Sequence, residues 1–450
     1  MTVLPATPSI LPDAGAQVEA RPTAERAWWT IVLLGILYIL SLIDRMILAL
    51  LVAPLKADLA LDDVHIGLLV GTAFAIVYGV LGLPLARLAD RGNRHLIIVA
   101  GVAIWSLSTI GSAFANSFEV LVALRLGLAI GEAALLPATF SMIGDLFPRE
   151  KRTLAASIFS AMGSAGAGAS FIIGAAIIGS IDWLRGIGLA SAQIADWRLV
   201  LIAVGLPGIL LIPVLLLTIR EPSRRTVEGK AASPTLGALL EHVQRHIRMY
   251  IGLISCAFSG TVSYAFVAWL PELMRRLFGW TPAQSGWIVG VILIASCLIG
   301  TIAGPRAAEW LMRRGRGDGF LLVILGAFTA GIVCAIVTAF QQTPFALLFW
   351  YFFASTFLAS CSNCTIASFQ ILTPANMRGT VVATYMLVIG IAGLGIGPPL
   401  SAWLAQTLFT GNGGLGQAMA AVAVVVGIPV CAIQIWSRPA FSRRMAEGED

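Results

Sequence analysis

Twelve apolar runs, each long enough to cross a membrane, constrain this chain more than any single motif. They cover roughly residues 27 to 53, 64 to 86, 95 to 115, 118 to 142, 153 to 181, 197 to 219, 248 to 274, 284 to 308, 319 to 340, 344 to 370, 379 to 405 and 415 to 437. About 20 apolar residues in a helix span the hydrocarbon core, where every backbone polar group must be satisfied within the segment itself. The expected fold class is therefore an all-α membrane protein of twelve transmembrane helices. With 58% hydrophobic and 12% charged residues, the chain holds far more apolar sequence than a soluble core uses.

The runs fall into two sets of six. A basic connector from Arg220 to Arg248 separates them, which predicts an N-lobe over 27–219, a linker over 220–247 and a C-lobe over 248–437. Residues 1–26 and 438–450 read as tails, the first of them disordered. Placing both termini inside puts 22 of the 29 Lys and Arg residues on the cytoplasmic side and five outside, as the positive-inside rule requires. The net charge of +6 is accordingly a topology signal, and no nucleic-acid partner is expected. The expected location is a membrane that the chain crosses many times, with both termini cytoplasmic and the protein a monomer.

The halves repeat. At an offset of 219, Gly67, Val70, Gly71, Arg87 and Ala89 match Gly286, Val289, Gly290, Arg306 and Ala308, and Asp90 matches Glu309. At an offset of 226, Leu146, Pro148 and Arg152 match Leu372, Pro374 and Arg378. Two parallel repeats of six helices predict lobes related by a pseudo-twofold axis along the membrane normal.

Charge inside the spans marks a functional site, because an ionisable group at bilayer depth is costly unless it faces a cavity or a partner. The fourth span carries Arg125 and Glu132, which lie on one helix face about 10 Å apart. The first carries Asp44 and Arg45 at matching depth. A neutral cluster of Asp44, Arg45, Arg125 and Glu132 is expected in the N-lobe. There Glu132 or Asp44 could exchange a proton as the lobes rock, or a substrate phosphate or carboxylate could compete for Arg45 or Arg125.

The loop Arg87-Leu-Ala-Asp90-Arg91-Gly-Asn93-Arg94 resembles the signature loop of the major facilitator superfamily, an acid followed by clustered bases between helices 2 and 3. Ala86 stands where that motif usually has Gly. Ser41-Leu-Ile-Asp44-Arg45, Arg125 with Gly131-Glu132-Ala133, and Asp145-Leu-Phe-Pro148 with Arg152 resemble the spinster family of lipid transporters. Ser41 and Leu42 replace the Asn-Tyr that precedes Asp-Arg in that family. The resemblance implies transport of an amphipathic solute, of lysophospholipid or sphingoid type, by alternating access. A drug or organic-anion exporter of the same fold, a passive lipid scramblase and a non-transporting receptor stay open as alternatives.

Asp90, Arg91, Arg94, Asp145, Arg152, Glu309 and Arg378 are expected at a cytoplasmic gate, where an acid can cap an opposing helix N-terminus and arginines can pair with acids of that lobe. The C-lobe spans read as free of charge. Ser263, Tyr264, Tyr351, Phe352, Phe353 and Asn363 are candidates for its cavity wall, with Tyr264 and Asn363 preferred. Glycine runs at 163–168 and 390–397 predict sliding seams between lobes, and Pro398-Pro399 predicts a break in helix 11. The six cysteines lie within spans and the histidines outside their centres, so no metal, cofactor or enzymatic reaction is expected. Protons, membrane lipids and a small amphipathic substrate are the expected partners.

Overall fold

A computed structural model describes residues 23–188, 191, 193–224, 236–374, 376–411 and 413–447, with the side chains of Leu83, Asp90, Arg149, Leu236 and 445–447 left out. Most of the expected N-terminal tail, the middle of the linker and the last three residues lie outside this set. Among the described residues there is no strand, and twelve helices are long and apolar enough to span a membrane. They are α1 (Ala24–Ala49), α2 (Asp63–Gly82), α3 (Arg94–Ser112), α4 (Phe118–Leu146), α5 (Glu150–Gly186) and α6 (Asp196–Thr218), then α7 (Ile247–Phe278), α8 (Pro282–Arg313), α9 (Gly319–Ala339), α10 (Pro344–Leu372), α11 (Arg378–Thr407) and α12 (Gly414–Arg444). A shorter helix, Leu236–Arg245, precedes α7. The end of the bundle bearing this linker helix and the loop between α2 and α3 is called the linker face, and the other the distal face.

Local sequence sets the irregularities. The α2 helix continues to Arg91, with a π-helical turn at Leu68–Thr72. The α4 helix is interrupted at Ala134, because Pro137 has no N–H to offer the Ala133 carbonyl. The α1 helix tightens to 3-10 geometry over Ile47–Ala49. The expected break in α11 is absent: the helix runs through Pro398 and Pro399 to Thr407. Its two freed carbonyls, those of Leu394 and Gly395, face α2 of the other lobe, where Thr72 Oγ1 donates to the Gly395 carbonyl at 2.8 Å. A donor outside the helix thus does for the Gly395 carbonyl what the helix's own turn cannot.

The lobes meet along two seams that obey the repeat residue by residue. In one, a Cβ on Gly71 of α2 would stand 2.3 Å from the Leu394 carbonyl of α11; in the other, a Cβ on Gly290 of α8 would stand 2.6 Å from the Gly168 carbonyl of α5. Gly71 and Gly290 are one repeat apart, and so are Gly168 and Leu394. Only glycine permits such backbone approach. Gly395 likewise faces Ala75 of α2 across the lobes, as expected, whereas four other glycines of the runs serve seams inside a lobe. Gly163 and Gly166 abut Tyr38, Ile39 and Leu42 of α1, and Gly393 and Gly397 abut Gly260 and Thr261 of α7, all within one lobe.

One hydrophobic core joins the distal half of the N-lobe, with Ile47, Leu50 and Phe171, to the C-lobe along its whole depth, from Val289, Phe266 and Trp269 to Tyr250, Phe369 and Phe441 near the linker face. A second core fills the linker-face half of the N-lobe, and among the described residues the C-lobe reaches it through Leu394 and Tyr264. The two lobes are therefore packed most closely on the distal side, and nearer the linker face α2 and α11 still touch where Leu387 and Ile391 stand against Gly79. Beyond these cores, apolar side chains such as Leu217 and Phe345 remain exposed, as expected of a surface solvated by lipid tails.

Candidate functional site

The first-span and fourth-span charges come together. Arg45 Nη2 lies 2.6 Å from Glu132 Oε2, and Asp44, Arg125 and Glu132 are all buried. Arg125 pairs differently from a simple ion pair: its guanidinium donates to the backbone carbonyls of Asp44 at 3.0 Å and Arg45 at 3.4 Å. These are among the last carbonyls of the α-helical part of α1, which lose their regular donors where the helix tightens. Arg125 thereby holds the turn that aims Arg45 at Glu132. Asp44 Oδ1 and Glu132 Oε1 are buried with no hydrogen-bond partner among the described residues. A void of about 10 Å³ beside Asp44, Thr109 and Arg125 is of a size for about one water.

Aromatic rings surround the Arg45 end of the cluster, a feature the sequence reading missed. The Arg45 guanidinium lies 4.3 Å from the Phe74 ring centroid and 5.0 Å from that of Tyr78, and those two rings stack on each other at 5.2 Å. Their spacing of four residues on α2, which places both on one face, was the available signal. Tyr38 stacks on Phe159 at 5.2 Å nearby in the same core. From the opposite lobe, Tyr264 packs against that core. Asn363 instead turns its amide to its own lobe, donating to Ala359 O at 2.9 Å and Thr301 Oγ1 at 3.3 Å. Tyr351 is buried and stacked on Phe266 at 6.1 Å, so it is a packing residue rather than a wall. Phe352 and Phe353 belong to a ring ladder along α10.

At the linker face the expected gate residues bond within their own lobes. Arg94 is buried and pairs with Asp145 at 2.5 Å and with Glu221 at 2.6 Å, all three in the N-lobe or its exit to the linker. Glu221 was not foreseen, since it sits in the connector among basic residues. Arg152 Nε donates to the Phe147 carbonyl at 3.0 Å and Arg378 Nε to the Thr373 carbonyl at 2.8 Å, an identical loop lock in the two halves. Glu309 lies 4.0 Å from Arg313 on its own exposed helix face. Arg91 is exposed, and the Asp90 side chain lies outside the described residues.

The distal face carries a polar bridge between lobes that the reading of an uncharged C-lobe overlooked. Glu272 lies inside α7, buried, and takes Arg275 and Arg276. Arg276 Nη2 then reaches Asp63 of α2 at 2.7 and 2.9 Å, and Lys56 closes on the same carboxylate. Helical spacing of three and four residues explains the first pairings. The link to Asp63 is tertiary.

No group of three or more His, Cys, Asp or Glu side chains among the described residues is arranged to hold a metal ion. What the geometry offers is a buried charge cluster at mid-depth, walled by aromatic rings, between two lobes joined on one side. A profile described as the Major Facilitator Superfamily matches residues 34–395. The chain belongs to that superfamily, and is a membrane transporter of its fold. It is 27% identical over 427 residues to an MFS-type efflux pump of Mycolicibacterium smegmatis, covering 93% of this chain and 94% of the relative. It is 25% identical over 363 residues to a sphingosine-1-phosphate transporter of Xenopus tropicalis, covering 77% of this chain and 67% of the relative. Among solved structures, an inward-facing, unoccupied bacterial homologue of the human lysosomal transporter Spinster superposes with a TM-score of 0.79 at 23% identity, over 95% of this chain and 99% of that one.

Proposed function

We propose that this transporter moves an amphipathic, lipid-like solute with an anionic head, of lysophospholipid or sphingoid type, by alternating access coupled to protons. One observation carries the reading: Arg45 is held at once by Glu132 and by the faces of Phe74 and Tyr78. A guanidinium so placed suits a phosphate or carboxylate, which it can meet bidentately. The rings beside it suit the apolar body that follows such a head. The similarity to a sphingosine-1-phosphate transporter supports the same class.

Coupling follows from exchange of partners. A substrate anion arriving at Arg45 displaces Glu132, whose buried carboxylate then takes a proton instead of a guanidinium. Asp44, one of whose carboxylate oxygens has no hydrogen-bond partner among the described residues, is the second proton carrier. The linker face, rich in Lys and Arg, is the cytoplasmic one, so this arrangement of lobes is inward-facing. The distal contacts at Gly71, Gly290 and Asp63 form the closed outer gate.

The similarity to an efflux pump favours a second reading, export of drug-like molecules by the same machinery. Uptake of a labelled lysophospholipid into proteoliposomes, with and without an imposed pH gradient, tests both. Gradient-driven lipid accumulation is the expected result. Lipid movement indifferent to pH would establish facilitated diffusion, and none at all would replace the lipid with a drug-like solute.

A further inference from the structure

A cleft of about 750 Å³ opens on the linker face of the C-lobe, remote from the central charge cluster, where the linker helix, the start of α7, the α10–α11 loop and the end of α12 converge. Its titratable walls are Arg245, Arg248, Arg443, Arg444, His242 and His246. No acidic side chain lines it among the described residues. We infer that this cleft is a binding site for a phosphate-bearing anion at the membrane surface.

The repeat provides an internal control. In the N-lobe the buried Arg94 is neutralised by Asp145 and Glu221. One repeat on, the position of Asp145 is occupied by Ile371, which is exposed. The C-lobe acids at this end, Glu309 and Asp318, pair instead with Arg313, Arg316 and Arg438, and neither lines the cleft. Burial, together with the positive charge of His246, Arg444 and Arg245, holds the His242 imidazole below its ordinary value, consistent with a positive potential in the cleft. His242 Nε2 is also buried without a hydrogen-bond partner among the described residues. Four arginines around one concavity match the geometry of phosphate oxygens, which guanidinium groups bind in pairs.

The setting points to the source of the anion. Arg248 stacks over Trp436 at 4.5 Å, and both Trp436 and Ile247 are 44% exposed. A tryptophan and a guanidinium at a helix end mark the headgroup level of a bilayer. A lipid phosphate of the adjoining leaflet and a soluble phosphate share the chemistry, and the test separates them.

Full-length protein in neutral detergent is titrated with dihexanoyl phosphatidylglycerol, dihexanoyl phosphatidylcholine and inorganic phosphate, reading bound ligand by thermophoresis. Saturable binding of phosphatidylglycerol is expected, weakened roughly thirtyfold by Arg245→Gln with Arg443→Gln, at about one surface cation's contribution each. If inorganic phosphate saturates at the same concentration and displaces the lipid, the anion site stands and its source is soluble. If the lipid binds at least tenfold tighter, the source is the leaflet. Equal binding of phosphatidylcholine, binding of no probe, or affinity unchanged by the double substitution overturns the site. Should the double variant fail to elute as folded protein, Arg245→Gln alone and a salt titration of the wild type replace it. Affinity indifferent to both would overturn the site equally.

Discussion

The hydroxyl of Thr72 in α2 donates at 2.8 Å to the carbonyl of Gly395 in α11, the carbonyl that Pro399 leaves without a helical donor. A diproline that would break an isolated helix is thereby converted into a contact between lobes. The neighbouring freed carbonyl, Leu394, faces Gly71 so closely that no side chain fits there. This seam exists only while the lobes are joined on the distal side, so it contributes to the balance between the two orientations of the cavity.

Thr72→Val keeps the shape and removes the donor. Loss of one hydrogen bond is worth about 1 kcal/mol, and the population of the distal-open state should rise roughly fivefold. Gly71→Leu should go further by separating the backbones. Labelling of single cysteines in the loop between α1 and α2 reads both. Unchanged labelling would show that the seam does not bias the equilibrium.

The Asp63–Arg276 bridge makes a stronger demand. Arg276→Gln leaves Asp63, buried to 8% side-chain exposure, with Lys56 as its remaining cation. Breaking a buried pair on one side costs about 3–5 kcal/mol, and Lys56 should hold the cost near or below the lower bound. Distal opening is again the expected direction. Asp63→Asn in the Arg276→Gln background should recover most of the loss, and a double-mutant cycle without coupling between the two would contradict the latch.

Arg94, placed at the gate by the sequence, should also contribute to folding through its two ion pairs. Its substitution by Gln takes from Asp145 and Glu221 the cation they share, and both carboxylates are partly solvated at 15% and 24% side-chain exposure. A loss at the lower end of about 3–5 kcal/mol should lower the melting temperature, read by fluorescence in detergent. Glu221→Gln should lower it less, since Asp145 still pairs with Arg94. A destabilised protein with unaltered substrate affinity would fit this assignment.

Elements with a local or periodic cause were legible in the chain. Length and hydropathy place twelve spans, and the 219- and 226-residue offsets foretell that the halves are equivalent, so that Gly71 and Gly290 take matching places in the two seams. Matched depth from helical rise brings Arg45 to Glu132. What was not legible depends on which neighbour supplies the missing partner. Pro398 and Pro399 read as a break because their rescue lies on α2, more than 300 residues earlier. Arg125 read as a partner for a carboxylate because nothing in the sequence announces that the carbonyls of Asp44 and Arg45 would need donors. Glu221 and Glu272 hid among arginines, where their tertiary pairing leaves no periodic mark. Tyr351 looked like a cavity wall because an aromatic stripe on a helix is the same pattern whether it faces a cavity or a neighbour.

Glu132 separates the coupled mechanism from a passive one. Glu132→Gln preserves the side-chain shape but can neither neutralise Arg45 nor carry a proton. Accumulation driven by a pH gradient should fall to the level of protein-free liposomes, while exchange of preloaded for external substrate continues, since exchange requires no net proton movement. Arg45→Lys should impair both processes, because an ammonium replaces neither the bidentate fork nor the stacking on Phe74 and Tyr78. It retains the charge, so a purely structural ion pair with Glu132 would be largely rescued by it. Exchange and accumulation lost together in Glu132→Gln, with Arg45→Lys behaving as wild type, would make the Arg45–Glu132 pair a scaffold for α1 and α4 and move the coupling site to Asp44.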